Sequence, residues 1–259
     1  MIHAHIYDAI NAGNAVFSYN DRIVRHINQE IRKDHMLLQL KNILDANKLT
    51  NIREMLTKVT FINGKHSAGQ AASRVKNNEE MKQGTQQAEY LDHLLMGSLA
   101  ENADFRSSAL PYRVAQPVFA RYTLGMQYGN HVDDPIMGGG AEKFRTDVSV
   151  TVFLNEPEEY EGGELIISTS YGEKSVKLPA GSAVIYPSAS VHRVTEITRG
   201  ERLAAIVWLQ SMVRDPAQRE LLYTLDQARN TLLNNAPDAP ETQQVDHSYV
   251  NLLRMWSEV

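Results

Sequence analysis

Hydrophobic and polar positions change period more than once along this 259-residue chain. Ile23, Val24, Ile27 and Ile31 fall at helical spacing within an otherwise polar opening stretch. Leu37-Leu38-Gln39-Leu40 reads as a short strand. Asp45 to Thr57 reads as a helix with Leu49, Ile52, Arg53 and Leu56 on related faces, and Asn63-Gly64 as a turn. A second helix is expected from about Glu79 to Glu101, where Tyr90, Leu91, Leu94, Leu95 and Leu99 recur at i, i+3 and i+4. From Tyr112 the period drops to two, in short runs broken by Gly, Pro and Asn. The expected strands are Val118 to Tyr122, Thr146 to Leu154, Leu165 to Ser168, Ser175 to Leu178, Ala183 to Tyr186, His192 to Thr198 and Arg202 to Trp208. Val148, Val150, Val152 and Leu154 share one face of the second, and Asp147, Ser149, Thr151 and Phe153 share the other. After Asp215 the helical period returns through Leu221, Leu222, Leu225 and Ala228. It breaks at Pro237 and Pro240, then resumes through Leu252, Leu253 and Trp256.

That order predicts an α+β protein, a β-barrel or sandwich clothed by helices at both ends. The expected divisions are an N-terminal extension over residues 1–35, a helical and strand region over 36–111, the β domain over 112–213, and a C-terminal helical region over 214–259. The C-terminal helices either cover barrel surface or form a dimer contact.

Composition narrows the function. A net charge of −5 and no visible basic patch argue against nucleic acid as a partner. No run approaches the ~18 apolar residues of a membrane span, and no apolar stretch near the start suggests a secretory signal. A cytoplasmic location is the default expectation. With no cysteine, any metal must be held by His, Asp or Glu. His3 and His5 look like a ligand pair, but so near a terminus they are expected to be solvated.

Two imidazoles and one carboxylate form the facial triad that leaves half of an octahedral iron(II) open. His131 and Asp133, two residues apart, can reach one ion from one face of a strand, and His192 opens a later strand after the Pro187-Ser188-Ala189-Ser190 loop. Alone, a His-x-Asp pair is common, and Asp134-Pro135 offers a turn-forming reason for an aspartate there. Arg202 strengthens the reading. Arg199-Gly200-Glu201 is expected to form a hairpin loop pairing Thr198 with Arg202. That register sets His192, Val194, Glu196, Thr198, Arg202, Ala204, Ile206 and Trp208 inward. It puts Arg202 ~20 Å from His192 along the ladder before twist. An inward guanidinium needs a counter-charge. This is either an internal carboxylate such as Glu196 or Asp147, or the far carboxylate of a five-carbon diacid. Tyr128 and Trp208 are expected to pack, and Gly138-Gly139-Gly140 to connect rather than to gate.

Tyr128-Gly129-Asn130-His131-Val132-Asp133, Glu161-Gly162-Gly163-Glu164-Leu165, and Leu178-Pro179-Ala180-Gly181 through Arg202 resemble the bacterial PKHD-type hydroxylases. These are iron(II)/2-oxoglutarate-dependent dioxygenases related to prolyl 4-hydroxylases and associated with iron uptake. Val75-Lys76-Asn77-Asn78, Gln210 to Asp215 and Leu253 to Glu258 extend the resemblance over about Met36 to Val259. It implies a double-stranded β-helix (jelly-roll) core, with iron on His131, Asp133 and His192 and the C5 carboxylate of 2-oxoglutarate on Arg202. It also implies Tyr122 beside the cosubstrate, L-ascorbate as a supporting reductant, and O2 with a small-molecule or peptidyl substrate. Phe153 departs from related animal prolyl hydroxylases, which carry a tyrosine there. Ser149 or Thr151 on the same face is the expected substitute. Two rivals use the same residues: a non-catalytic barrel that senses iron or 2-oxoglutarate, and a zinc or manganese hydrolase or isomerase. The second gives Arg202 no task.

Overall fold

Alternation in the central strands decides which side of a two-sheet barrel each residue serves. The computed structural model describes residues 37–259. His3, His5 and the Ile23–Ile31 helix therefore lie outside the described residues. In chain order the strands are β1 (Leu38–Leu40), β2 (Phe61–Asn63), β3 (Lys76–Asn77), β4 (Glu79–Met81), β5 (Pro111–Val114), β6 (Val118–Tyr122), β7 (Gln127–His131), β8 (Ile136–Met137) and β9 (Phe144–Arg145). They continue as β10 (Val148–Phe153), β11 (Tyr160–Glu161), β12 (Leu165–Thr169), β13 (Gly172–Val176), β14 (Ala183–Pro187), β15 (His192–Val194), β16 (Arg199–Gly200) and β17 (Arg202–Ser211). The helices are α1 (Ala46–Leu56), α2 (Gln86–Glu101), α3 (Ala103–Ala109), α4 (Pro216–Asn235) and α5 (Pro240–Trp256).

The larger sheet runs β1-β14-β10-β17-β6-β4-β2, with β5 also on β17, and the smaller runs β13-β12-β15-β7-β3. On β10 the period of two does what the sequence predicts. Val148, Val150 and Val152 pack outward against Ile52 of α1 and Leu91, Leu95 and Leu99 of α2. Phe153 faces the other way, in a cluster with Tyr122 and Tyr186 of the larger sheet and Leu165, Ile167 and Val194 of the smaller. That second cluster is the barrel interior. Its walls carry the chemistry. The C-terminal helices bury Leu222 and Tyr249 against Leu110 and Val213. α4 starts where its sequence says it should, with Pro216 in the first turn and Asp215 accepting from the Ala217 and Gln218 amides. The fold is thus α+β, a double-stranded β-helix with helices at both ends.

Three expectations change. Glu79 opens a strand rather than a helix, because β4 must bridge β2 and β6 in the larger sheet; the helix begins at Gln86, capped by the Thr85 hydroxyl. α3 was invisible to periodicity, since its seven residues are too few to show a period. The His192–Thr198 strand and its hairpin do not form as one ladder. β15 stops at Val194, and Arg199-Gly200 pairs with Tyr160-Glu161. Arg202 pairs with Tyr122 of β6 in the opposite sheet. His192 and Arg202 consequently face each other across the barrel, and Glu196 and Thr198 are exposed.

Candidate active site

His131 ends β7 and is directly paired with His192 at the start of β15. Between these residues and the next pair, Tyr128 with Val194, β7 advances three residues while β15 advances two. The extra residue is a β-bulge, and it brings Tyr128 and His131 to the same side of the strand. Their rings stack at 3.5 Å between centroids and 11° between planes. Asp133 lies just past the strand end rather than on it.

The three side chains converge. Asp133 Oδ1 is 3.9 Å from His131 Nε2 and 3.7 Å from His192 Nε2, with all three side chains 4–6% exposed. These are the only three or more such residues, among those described, whose ligand atoms come within 4.8 Å of one another. The spacing is too long for direct hydrogen bonds. It suits three atoms sharing one ion at about 2.0–2.2 Å from each, after small inward movements. The outer atoms of all three residues are already occupied. His131 Nδ1–H donates to the Gly129 carbonyl (2.8 Å) and His192 Nδ1–H to the Ser190 carbonyl (3.0 Å). Each imidazole is thereby left with a bare Nε2 lone pair on the inside. Burial, and after it the neighbouring His192, holds His131 down at about 4, so it stays neutral. Ser149 donates to Asp133 Oδ2 (2.6 Å) and accepts from Ser188 (2.8 Å), leaving Oδ1 free. The donor set fits iron(II): two neutral nitrogens, one anionic oxygen and an open side facing a cavity.

Arg202 lines the same cavity, which has a volume of about 1110 Å³ and is also lined by His131, Asp133, His192, Tyr122 and Thr151. Arg202 is 2% exposed, and its Nε has no hydrogen-bond partner. Both carboxylates proposed as internal partners are elsewhere: Asp147 pairs with Arg145, and Glu196 is exposed. Aromatic faces surround the guanidinium instead, Tyr122 at 5.2 Å and Phe153 at 5.6 Å from Cζ. Burial pushes the Tyr122 hydroxyl up to about 12, so it remains a donor.

Of the other sequence candidates, Thr151 lies within reach of the Tyr186 hydroxyl. Ser149 is spent on Asp133 and Ser188, a task unlike the cosubstrate contact expected of it. Tyr128 and Trp208 both line the cavity. Sequence reasoning also missed the Lys76–Glu80 ion pair, in which both residues are buried. Lys76 sits on the smaller sheet through β7, Glu80 on the larger through β6, and the pair ties the two sheets together beside the cavity. Lys76 Nζ also lies 5.1 Å from the Tyr128 ring centroid. The only signal was the Lys-x-x-x-Glu spacing, which reads equally well as a solvated surface pair.

Comparison with known proteins agrees with this geometry. Residues 117–210 match the 2OG-Fe(II) oxygenase superfamily, and residues 216–258 match the PKHD-type hydroxylase C-terminal domain. A PKHD-type hydroxylase of Thioalkalivibrio sulfidiphilus is 50% identical over 224 residues, 86% of this chain and all of that protein. One from Hyphomonas neptunium is 44% identical over 228 residues, again covering 86% of this chain and all of its own. Among solved structures, a prolyl hydroxylase from Trichoplax adhaerens superposes with a TM-score of 0.51 at 16% identity, covering 77% of this chain and 90% of that one. The non-heme alpha-ketoglutarate-dependent epimerase of nogalamycin biosynthesis gives 0.50 at 15% identity, covering 75% and 86%. These two likenesses speak to the fold alone. Identity at this level along the whole length of curated relatives settles the family, and the chain belongs to the PKHD-type hydroxylases, 2-oxoglutarate- and iron(II)-dependent dioxygenases.

Proposed function

We propose that His131, Asp133 and His192 hold the iron and that Arg202 receives the distal carboxylate of 2-oxoglutarate, flanked by Tyr122. The enzyme then hydroxylates a small-molecule or peptidyl substrate whose handling is tied to iron uptake. The carrying observation is Arg202: a guanidinium 2% exposed, without a paired carboxylate among the described residues, in one cavity with the triad. A buried unpaired charge is costly, and an anionic ligand removes the cost.

Bound iron(II) supplies the redox chemistry that couples decarboxylation of 2-oxoglutarate, to succinate and CO2, with insertion of one oxygen atom of O2 into a substrate C–H bond. The protein's part is placement. Gly129 and Ser190 carbonyls hold the imidazoles in the tautomer that presents Nε2. Ser149 turns one oxygen of Asp133 away from the ion and leaves the other toward it. Two neutral ligands and one anion would leave a bound ferrous ion with net charge +1, which would favour an anionic cosubstrate. Tyr122 and Phe153 dry the far end, where the Arg202 interaction gains strength from exclusion of water. Residues 112–213 carry the catalytic side chains in this reading; residues 37–111 add β1 to β4 to the two sheets, and 214–259 pack on the barrel so completed. L-ascorbate sustains turnover when substrate is scarce.

The test is anaerobic reconstitution with iron(II) and 2-oxoglutarate followed by O2, with succinate measured. Succinate that disappears in His131→Ala, and in Arg202→Ala at limiting 2-oxoglutarate, supports the assignment. Iron loading without succinate across a broad substrate panel contradicts it. The link to iron uptake is tested by comparing iron-starved cells with and without the protein for a product heavier by one oxygen atom.

A further inference from the structure

The Glu161-Gly162-Gly163-Glu164-Leu165 segment carries part of the family resemblance, yet metal and cosubstrate binding as described give it no task. Its position suggests one. Gly163 has φ +69, and a Cβ there would stand 3.0 Å from Arg202 Cδ, 3.0 Å from Tyr160 Cε2 and 2.5 Å from Ile197 Cδ1. The arginine arm and the tyrosine ring thus converge over bare backbone, at a conformation in which any residue but glycine is strained. Lys177 fastens this turn: its Nζ donates to the carbonyls of Tyr160 (2.9 Å) and Gly162 (3.2 Å) and lies 4.0 Å from the Tyr160 ring centroid. Tyr160 is also paired with Gly200, two residues before Arg202.

Tyr160 is 1% exposed and, unlike Arg202, does not line the cavity. Its hydroxyl faces the guanidinium, and burial keeps it protonated by pushing it above the ordinary phenol range. The Tyr160 hydroxyl and Arg202 Nε are both buried side-chain groups with no hydrogen-bond partner. Their side chains flank the same glycine, and with one atom a donor and the other able to accept they form a matched pair. A guanidinium offers one edge to a carboxylate at a time, so the donor on its remaining side needs an acceptor behind it.

We propose that Tyr160 is a positioning residue for Arg202: its oxygen accepts from Nε–H and fixes the guanidinium plane, so that the opposite edge meets the distal carboxylate of 2-oxoglutarate. This rests on the cosubstrate role given to Arg202 above, and the test separates the two. The full chain, loaded anaerobically with manganese(II) in place of iron, is titrated by calorimetry with 2-oxoglutarate and with 2-oxopentanoate. The latter has the same carbon chain without the far carboxylate. Wild type is expected to prefer 2-oxoglutarate strongly. In Tyr160→Phe the 2-oxoglutarate dissociation constant should rise about tenfold, the scale of one unmet buried donor, while that of 2-oxopentanoate stays the same. Equal weakening of both ligands, or no change in either, overturns the positioning role alone. A wild type with no preference overturns the role of Arg202 and this one with it. Removing an orphan hydroxyl should leave ligand-free melting no lower than wild type. A Tyr160→Phe protein that fails to fold or melts far lower makes the hydroxyl structural and also overturns the proposal.

Discussion

The two ends of the cavity are built on opposite principles. At the triad end, each residue's outer atom has a hydrogen-bond partner before any ligand arrives: Gly129 and Ser190 carbonyls behind the imidazoles, Ser149 behind Asp133. At the arginine end, a fully buried guanidinium is left with an orphan Nε and aromatic neighbours. The first end is pre-organised; the second keeps a buried donor, Arg202 Nε, without a partner, and in the proposed reading the anionic cosubstrate is what the guanidinium awaits. A site that must hold its metal through repeated turnovers needs the first design. A cosubstrate consumed in every turnover suits the second.

If that contrast is right, perturbing the two ends will have different signatures. Asp133→Ala or His192→Ala removes one of the three proposed metal ligands, and succinate formation should fall to background with metal retention lost and the fold kept. Zinc loading of the wild type should silence turnover equally, since zinc has no redox chemistry to offer O2. Metal analysis with succinate quantification checks both. Arg202→Met comes next: the KM for 2-oxoglutarate should rise ~30- to 1000-fold, on the scale of ~2–4 kcal/mol for truncating a buried charge pair. The ligand-free protein should melt higher than wild type, because an unpaired buried charge has gone. A variant that binds 2-oxoglutarate poorly and is also less stable would erase the distinction between the ends.

Ser149→Ala should cost ~10- to 100-fold in metal affinity, the usual scale for a residue that orients a ligand. It should do so without changing the preference for 2-oxoglutarate over 2-oxopentanoate. Tyr128→Leu, which removes the stack on His131, should weaken metal binding only ~2- to 10-fold, in line with ~0.5–1.5 kcal/mol for an aromatic pair. Competition titration with a chromogenic chelator resolves these two. An unaltered metal affinity in Ser149→Ala contradicts the view that the triad is held from behind.

What could be read from the sequence follows from what local rules encode. The β10 alternation gave both faces of that strand correctly, because one residue in two faces the barrel whatever happens elsewhere. The Asp45 and Asp215 caps marked helix starts through contacts only two or three residues long. His131, Asp133 and His192 could be picked out because metal chemistry needs those residue types. The route to Arg202 could not. A local hairpin was the natural reading of Arg199-Gly200-Glu201, yet Arg199-Gly200 pairs with Tyr160-Glu161 almost forty residues earlier. The bulge in β7 is equally hidden, since it exists only in the register against β15. Read from the strand alone, Tyr128 is therefore expected only to pack, and its stack on His131 stays hidden. The Ser149 contact to Asp133 is hidden too, because nothing in a single strand reveals that Asp133 lies opposite its hydroxyl.

The most direct test is crystallographic: crystals grown without oxygen, with manganese(II) and 2-oxoglutarate, examined by anomalous scattering. A manganese peak within bonding distance of His131 Nε2, Asp133 and His192 Nε2, with one end of the diacid beside the metal and the other on Arg202, is the predicted result. Manganese bound elsewhere, or a diacid that leaves Arg202 without a carboxylate, would contradict it.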